Sequence, residues 1–394
     1  MKKLFRNIMS VMATLLLVAG MSSCEKDEGG ENGGETNNDE RYQSILRSYI
    51  ESTIVPTYQT LAEAALEMRA ANENLKSDPS DDNMKAASAA WMKARVAWEI
   101  SEAFLFGPVG EQALDIDAHI DSWPLELDQI LETLEQEAAS LTGEKAWAEL
   151  DAEVIGFHVT EYLLYREGQT RPVSDLSEAE LKYLTAATDA LVWDCVLAYV
   201  AWVGESAVSA EMRSVFNENA DVKAHLDANA SYREFAKKLS PQSAGGNYTS
   251  WGDALSEIAV GAAEIAGEVG ATKIAEPYEN HRTEDVESWY SWHSLDDYQN
   301  NIRSIKNAYL GGMDDGSRKA ECLSAYIATV DAGLDGQIRA KIDDCLTKIA
   351  AIGTGGKSFY EVVRDRINGP QVDAAVEACI ELQTLFDRIP EIIE

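Results

Sequence analysis

Apolar residues recur along most of the chain at three- and four-residue spacings, the period of helices that bury one face. Tyr42, Ile45, Leu46, Tyr49 and Ile50 set the pattern for a helix over 41–76, which Asp78-Pro79-Ser80 breaks. A second helix is predicted over 82–106, stopping at Gly107-Pro108. Trp123-Pro124 opens a third to about 140, and Gly143 separates it from a fourth that ends before Gly168. Ser177 and Glu180 have capping-box spacing and open a long helix towards 205. Further helices are predicted over 209–225, 230–240, 250–274, 295–309, 317–331, 335–352 and 370–388. No segment alternates convincingly as a half-buried strand does. The pattern predicts an all-α protein of two helical bundles, 41–172 and 173–394, meeting near residue 172. Residues 276–312 stand apart as polar and aromatic, with Trp289, Tyr290, Trp292 and Tyr298. Long irregular inserts of that kind are more often functional than decorative.

The first residues differ in kind. Lys2, Lys3 and Arg6 precede a mostly apolar stretch over 9–20, and Met21-Ser22-Ser23-Cys24 closes it. Such a segment is a secretory leader, too short to span a membrane. Cys24 behind small residues resembles a bacterial lipobox. That implies removal of 1–23, acylation of the Cys24 thiol and attachment to the outer membrane, facing the periplasm or the outside. Residues 24–40 are acidic and rich in Gly and Asn, and predict a flexible tether.

Composition narrows the partners. The formal net charge is -35, and the leader carries away basic residues only. Phosphate backbones need a cationic face, so nucleic acid is excluded. With Cys24 assigned to the anchor, Cys195, Cys322, Cys345 and Cys379 remain, and no Cys-x-x-Cys pair suggests a thiolate zinc site. Cys322 and Cys345 flank a turn near Gly333 almost evenly. A Cys322–Cys345 disulfide is one expectation, and two buried free thiols are the other.

Several motifs fail on inspection. Gly353 to Ser358 ends like a phosphate-binding loop, but Ala351 stands where its first Gly is needed. Asp115, Asp117, Asp121 and Glu126 have calcium-loop spacing, but His119 and Ile120 occupy the positions of a ligand and a Gly. No Gly-x-Ser-x-Gly or His-Glu-x-x-His occurs.

One constellation survives. His158 and Glu161 lie three apart on a predicted helix and share a face, where an imidazole and a carboxylate can hold one metal ion or simply hydrogen-bond. Gly156 costs helix stability, about 0.5–1 kcal/mol against Ala, and permits close approach of a backbone or ligand. Trp91, Arg95, Trp98 and Glu102 form one stripe. It reads either as an Arg95–Glu102 ion pair or with Glu102 as a third ligand.

The run Gly156-Phe-His158-Val-Thr-Glu161 fits the Gly-x-His-x-x-Glu motif of imelysin-like proteins. Asp121-Ser122-Trp123-Pro124 resembles that family's Asp-x-Trp-Pro segment. Glu287-Ser288-Trp-Tyr290-Ser291, with Asp297, Asn300-Asn301-Ile302 and Tyr309-Leu310-Gly311-Gly312, resembles its C-terminal motif, although Trp292-His293 depart from the polar residues usual there. The resemblance spans roughly 41 to 392. It implies two four-helix bundles related by duplication, with the site near their interface. It also implies either an insulin-cleaving type of metallopeptidase or a part of an iron-uptake system. His158, Glu161 and Glu102 would be metal ligands, with Glu287 joining from the second half, and Arg95, Ser291 and Asp297 would support them. The metal would be iron, with zinc the alternative, and iron-uptake transporter components the partners. The remaining reading is a non-catalytic binder of a polymer or haem-like ligand through the aromatics at 289–298.

Overall fold

The computed structural model describes residues 38–393, apart from 137, 139, 231–233, 235–236 and 314. The leader, Cys24 and nearly all of the tether lie outside the described residues. The described chain is mostly helical, and its β-structure is a small antiparallel hairpin, Tyr165–Arg166 with Gln169–Thr170, and an isolated bridge between Pro241 and Tyr248.

Eight helices frame it. They are α1 (Val55–Ser77), α2 (Asp81–Glu99), α3 (Gly156–Leu164), α4 (Glu178–Val203), α5 (Trp251–Gly267), α6 (Ser294–Leu310), α7 (Ala332–Ile352) and α8 (Gly369–Phe386). The first four close a ring of contacts, α1 on α2, α2 on α3, α3 on α4 and α4 on α1, and the last four close a second. The change of partners therefore falls between Val203 and Trp251. α4 follows the expected boundary at 172, yet it packs along α1 and α3. Its apolar residues lie on all sides, from Leu184 and Leu191 to Val192 and Cys195, so it needs neighbours all round. α4 is long and apolar enough to cross a membrane by composition, but it is buried here as a core helix.

Local chemistry sets the helix ends. Ser177 and Glu180 form the capping box that opens α4. Ser80 caps α2 by accepting from the Asn83 amide. α2 ends at Glu99, not at 106, and the chain continues in short 3-10 turns at Glu102–Phe104 and Gly107–Val109. Two wider π-helical turns, Ile50–Ile54 and Glu268–Ala275, each run directly into a segment whose second residue is a proline, Pro56 or Pro277. Proline lacks an amide hydrogen and crowds the carbonyl one turn back, and a wider turn relieves both.

The four described cysteines are buried free thiols. Cys322 does not meet Cys345. It stands at the N-cap of the helix Leu323–Val330, and its sulfur accepts from the Ala325 amide at 3.3 Å.

The two rings touch where α2 packs on α6 and where the turn Glu102–Phe104 lies against α5 and α6. The polar residues of interest collect at this seam.

Candidate metal centre

Gly156 opens α3 with φ +77, and a Cβ there would lie 2.3 Å from the Ile120 carbonyl oxygen. Only glycine combines that backbone angle with that approach. The contact sets the end of the short helix Ile116–Ile120 against the start of α3, which places Asp121 beside His158. The Nε2 of His158 is 3.0 Å from Asp121 Oδ1 and 3.7 Å from Glu287 Oε1.

Glu161 serves the other ring nitrogen. Its Oε2 lies 3.2 Å from His158 Nδ1, while its Oε1 accepts from the Ser291 amide at 2.8 Å and hydroxyl at 2.7 Å. Ser288 and Trp292 hold left-handed conformations, φ 51 and 62, on either side of Ser291. Non-glycine residues adopt such angles at a cost, and local strain of this kind gathers at functional sites. The hairpin holds the segment in place. The Gly168 amide donates to the Tyr290 carbonyl at 2.9 Å, and the Trp292 ring fills the space a Gly168 side chain would need. Trp289 and Trp292 both stack on Tyr360, so these aromatics pack the segment against its neighbours.

Arg95 is fully buried at the centre. Its guanidinium pairs with Glu99, Asp121, Glu287 at 2.7 Å and Asp297 at 3.2 Å. Glu102 is not its partner. The turn beyond Glu99 puts Glu102 in the wall of an acidic cavity of about 320 Å³, facing Glu268 and Lys273. Lys273 comes from the second π-helical turn and lies 3.1 Å from Glu287 Oε2. Trp98 donates to Asp121 Oδ2 at 2.7 Å, Ser288 to Asp297 at 2.5 Å, and Asn301 to Glu99.

The carboxylates divide into two kinds. Burial works against charge on Asp121, but Arg95 and His158 hold it below the usual carboxylate range. Burial opposes Glu287 as well, and Lys273, His158 and Arg95 hold it well below. In contrast, burial pushes Glu99 and Glu102 well above that range, and pushes Asp297 up to about 6. Burial and Arg95 oppose a charge on His158, yet the nearby carboxylates of Asp121, Glu161 and Glu287 keep it protonated well above its ordinary value. The seam thus holds more carboxylate than Arg95, Lys273 and His158 neutralise, and protons make up the difference.

Among the described residues, two groups of three His or carboxylate side chains have donor atoms within 4.8 Å of one another: Asp121, His158 and Glu287, and separately Glu99, Glu102 and Asp121. The structure therefore places His158 and Glu287 together, sets Glu161 behind His158, and puts Glu102 in a separate carboxylate group. Asp121 joins both groups, and Glu99 and Lys273 also belong to the seam. Glu99 is four residues from Arg95 on α2, a spacing that could have flagged it.

The cavity wall also offers a test of charge burial. Burial first, then Glu264 and Asp253, push Glu257 from its ordinary 4.5 up to about 7. Its proton leaves the unfolded chain near pH 4.5 and the folded chain near 7, so stability falls as pH rises through that window. Glu257→Gln is expected to be neutral at pH 4 and to stabilise by about 1–2 kcal/mol at pH 8, once its partial exposure is discounted. Urea denaturation at both pH values checks this, and equal effects at both would refute it.

The family model for imelysin matches residues 54–388. Iron-regulated protein A of Synechococcus elongatus is 27% identical over 271 residues, which cover 69% of this chain. The match spans 65% of that relative's own length. A crystal structure assigned as an iron-regulated protein A precursor from Parabacteroides distasonis superposes with a TM-score of 0.72 at 26% identity, covering 92% of this chain and 97% of that one. An imelysin-like protein from Psychrobacter arcticum shares the fold at 15% identity, with a TM-score of 0.52 over 90% of this chain and 93% of that one. Domain-wide agreement in sequence and fold makes this chain a member of the imelysin family.

Proposed function

We propose that this protein is an exported, lipid-anchored envelope protein that holds a metal ion at Asp121, His158 and Glu287 and serves iron uptake. The observation that carries the reading is the division of work on His158. Glu161 takes Nδ1, as a carboxylate behind a metal-bound imidazole does. Nε2 is fully buried, makes no hydrogen bond of good geometry, and faces two carboxylates held ionised. One nitrogen and two carboxylates suit iron or zinc. A bound cation would supply the positive charge that protons and Lys273 now provide, and could accept a further oxygen ligand. Arg95 would hold Asp121 and Glu287 in place, and Ser291 would fix Glu161.

Iron ranks ahead of zinc because the cyanobacterial and Parabacteroides relatives bear the name iron-regulated protein A. Export accords with the leader and with the word precursor attached to the Parabacteroides protein. Transporter components of iron uptake are the partners this reading implies. Duplication of a four-helix unit accounts for the two rings and for the π-helical turn before Pro56 and Pro277. Peptide hydrolysis would need a carboxylate free to activate water. Glu161 is engaged by His158 and Ser291, so iron capture is the better fit.

Metal analysis and calorimetry on the mature protein, loaded in turn with ferrous, ferric and zinc ions, test the proposal. One cation is expected per chain, with proton release as Nε2 is freed and tighter binding as pH rises. No uptake of any of these ions would refute it. Zinc held in strong preference to iron would remove the iron reading.

A further inference from the structure

Cys345 lies on α7 and Cys379 on α8, and the two helices pack closely along their lengths. Both thiols are completely buried. Ala375 and Ala378 share the buried face of α8 with Cys379, and residues this small let two helix backbones approach. Lys341 of α7 pairs with Glu381 of α8 at 2.6 Å, and one turn onward from Lys341 that register sets Cys345 alongside Cys379. The neighbouring Cys379 thiol, with burial, raises the Cys345 thiol far above its ordinary range. No other pair among the described cysteines is placed in this way, since Cys322 is occupied at its helix cap.

We propose that Cys345 and Cys379 form a disulfide when the chain folds in an oxidising compartment. That location rests on the export reading above; the pairing itself does not. The chemistry is thiol–disulfide exchange with a disulfide-bearing oxidant, such as an envelope dithiol oxidase or oxidised glutathione. One cysteine thiolate attacks the oxidant's disulfide, forms a mixed disulfide and expels one oxidant sulfur as a thiolate. The second cysteine thiolate then attacks the protein sulfur of that mixed disulfide and expels the other. The two cysteines lose two protons and two electrons, and the oxidant leaves as two thiols. Because neither sulfur is reachable in the folded protein, exchange must precede the docking of α8 on α7. The finished bridge is then shielded from reductants until the chain unfolds.

The bridge would bear on the metal centre from behind. α8 also packs on the turn Glu268–Ala275, where a Cβ on Gly270 would lie 2.9 Å from Cys379 Cβ. Lys273 projects from that same turn to Glu287. Joining α7 to α8 would stiffen the surface on which the Lys273 turn rests.

The test uses mature protein from the cell envelope and, separately, leaderless protein refolded with oxidised glutathione. Each is denatured with an alkylating reagent, before and after reduction, and its peptides are mapped by mass. We expect Cys345 and Cys379 to be labelled only after reduction, and Cys195 and Cys322 to be labelled in both cases. The oxidised refolded protein should melt roughly 5 °C above its reduced form. Cys345→Ala/Cys379→Ala should melt at the same temperature under both conditions. Refolded protein with Cys345 and Cys379 both labelled before reduction, or with a bridge from either to Cys322, would overturn the pairing. A bridge in refolded protein and none in the envelope sample would overturn it for the exported protein and trace the failure to the export reading.

Discussion

Arg95→Met is expected to unfold the protein or to lower its stability by about 3–5 kcal/mol, the cost of breaking a buried ion pair from one side. Arg95 is fully buried and is shared by Glu99, Asp121, Glu287 and Asp297. Methionine fills much of its volume and supplies no charge or donor. The four carboxyl groups would then have to take up protons or admit water. Chemical denaturation across pH should show the deficit growing from pH 5 to pH 8, because protonation relieves it at low pH. Glu99→Gln and Asp297→Asn in the same background should recover part of the loss. A variant with parental stability at pH 8 would show that the network is not held by this charge.

His158→Ala should weaken cation binding by roughly 100-fold or more, whereas Glu161→Gln should weaken it by about 10–100-fold, as loss of an outer partner does. The order follows from the geometry. His158 Nε2 faces Asp121 and Glu287, while Glu161 reaches only Nδ1. Glutamine can still accept from Nδ1–H, so the imidazole keeps its orientation at reduced basicity. Calorimetry on both variants decides the matter. If Glu161→Gln lost binding and His158→Ala kept it, Glu161 would be the ligand and the assignment of roles would be reversed.

The helical class was legible because its signal is periodic and repeated, and the capping box at Ser177 marked the start of α4. The grouping of helices was not legible at residue 172. The hairpin 165–170 looks like a domain break in sequence, but α4 returns along α1, and only three-dimensional packing reveals that. His158, Gly156 and Glu161 were visible as a local motif, and the structure explains Gly156 through its approach to Ile120. The stripe that pointed from Arg95 to Glu102 assumed that the helix continues. α2 stops at Glu99, so the rotation that would align Glu102 never occurs. Lys273 was hidden for a related reason, since its direction depends on a π-helical turn whose register departs from the usual helical period. Of the two readings of Cys322 and Cys345, buried free thiols are what the structure shows; the disulfide reading argued from the length of a hairpin and ignored α8.

Trp123 stands against the imidazole of His158, with ring centroids 4.7 Å apart. A protonated imidazole is an efficient quencher of indole emission, and a redox-active cation is another. The light emitted by Trp123 therefore depends on what His158 carries. The protein holds its own optical probe at the seam, and occupancy can be followed in a stopped-flow instrument without any label. Trp98, which donates to Asp121, reports on the same seam from the other side, and the difference between the parent and Trp123→Phe separates the two signals.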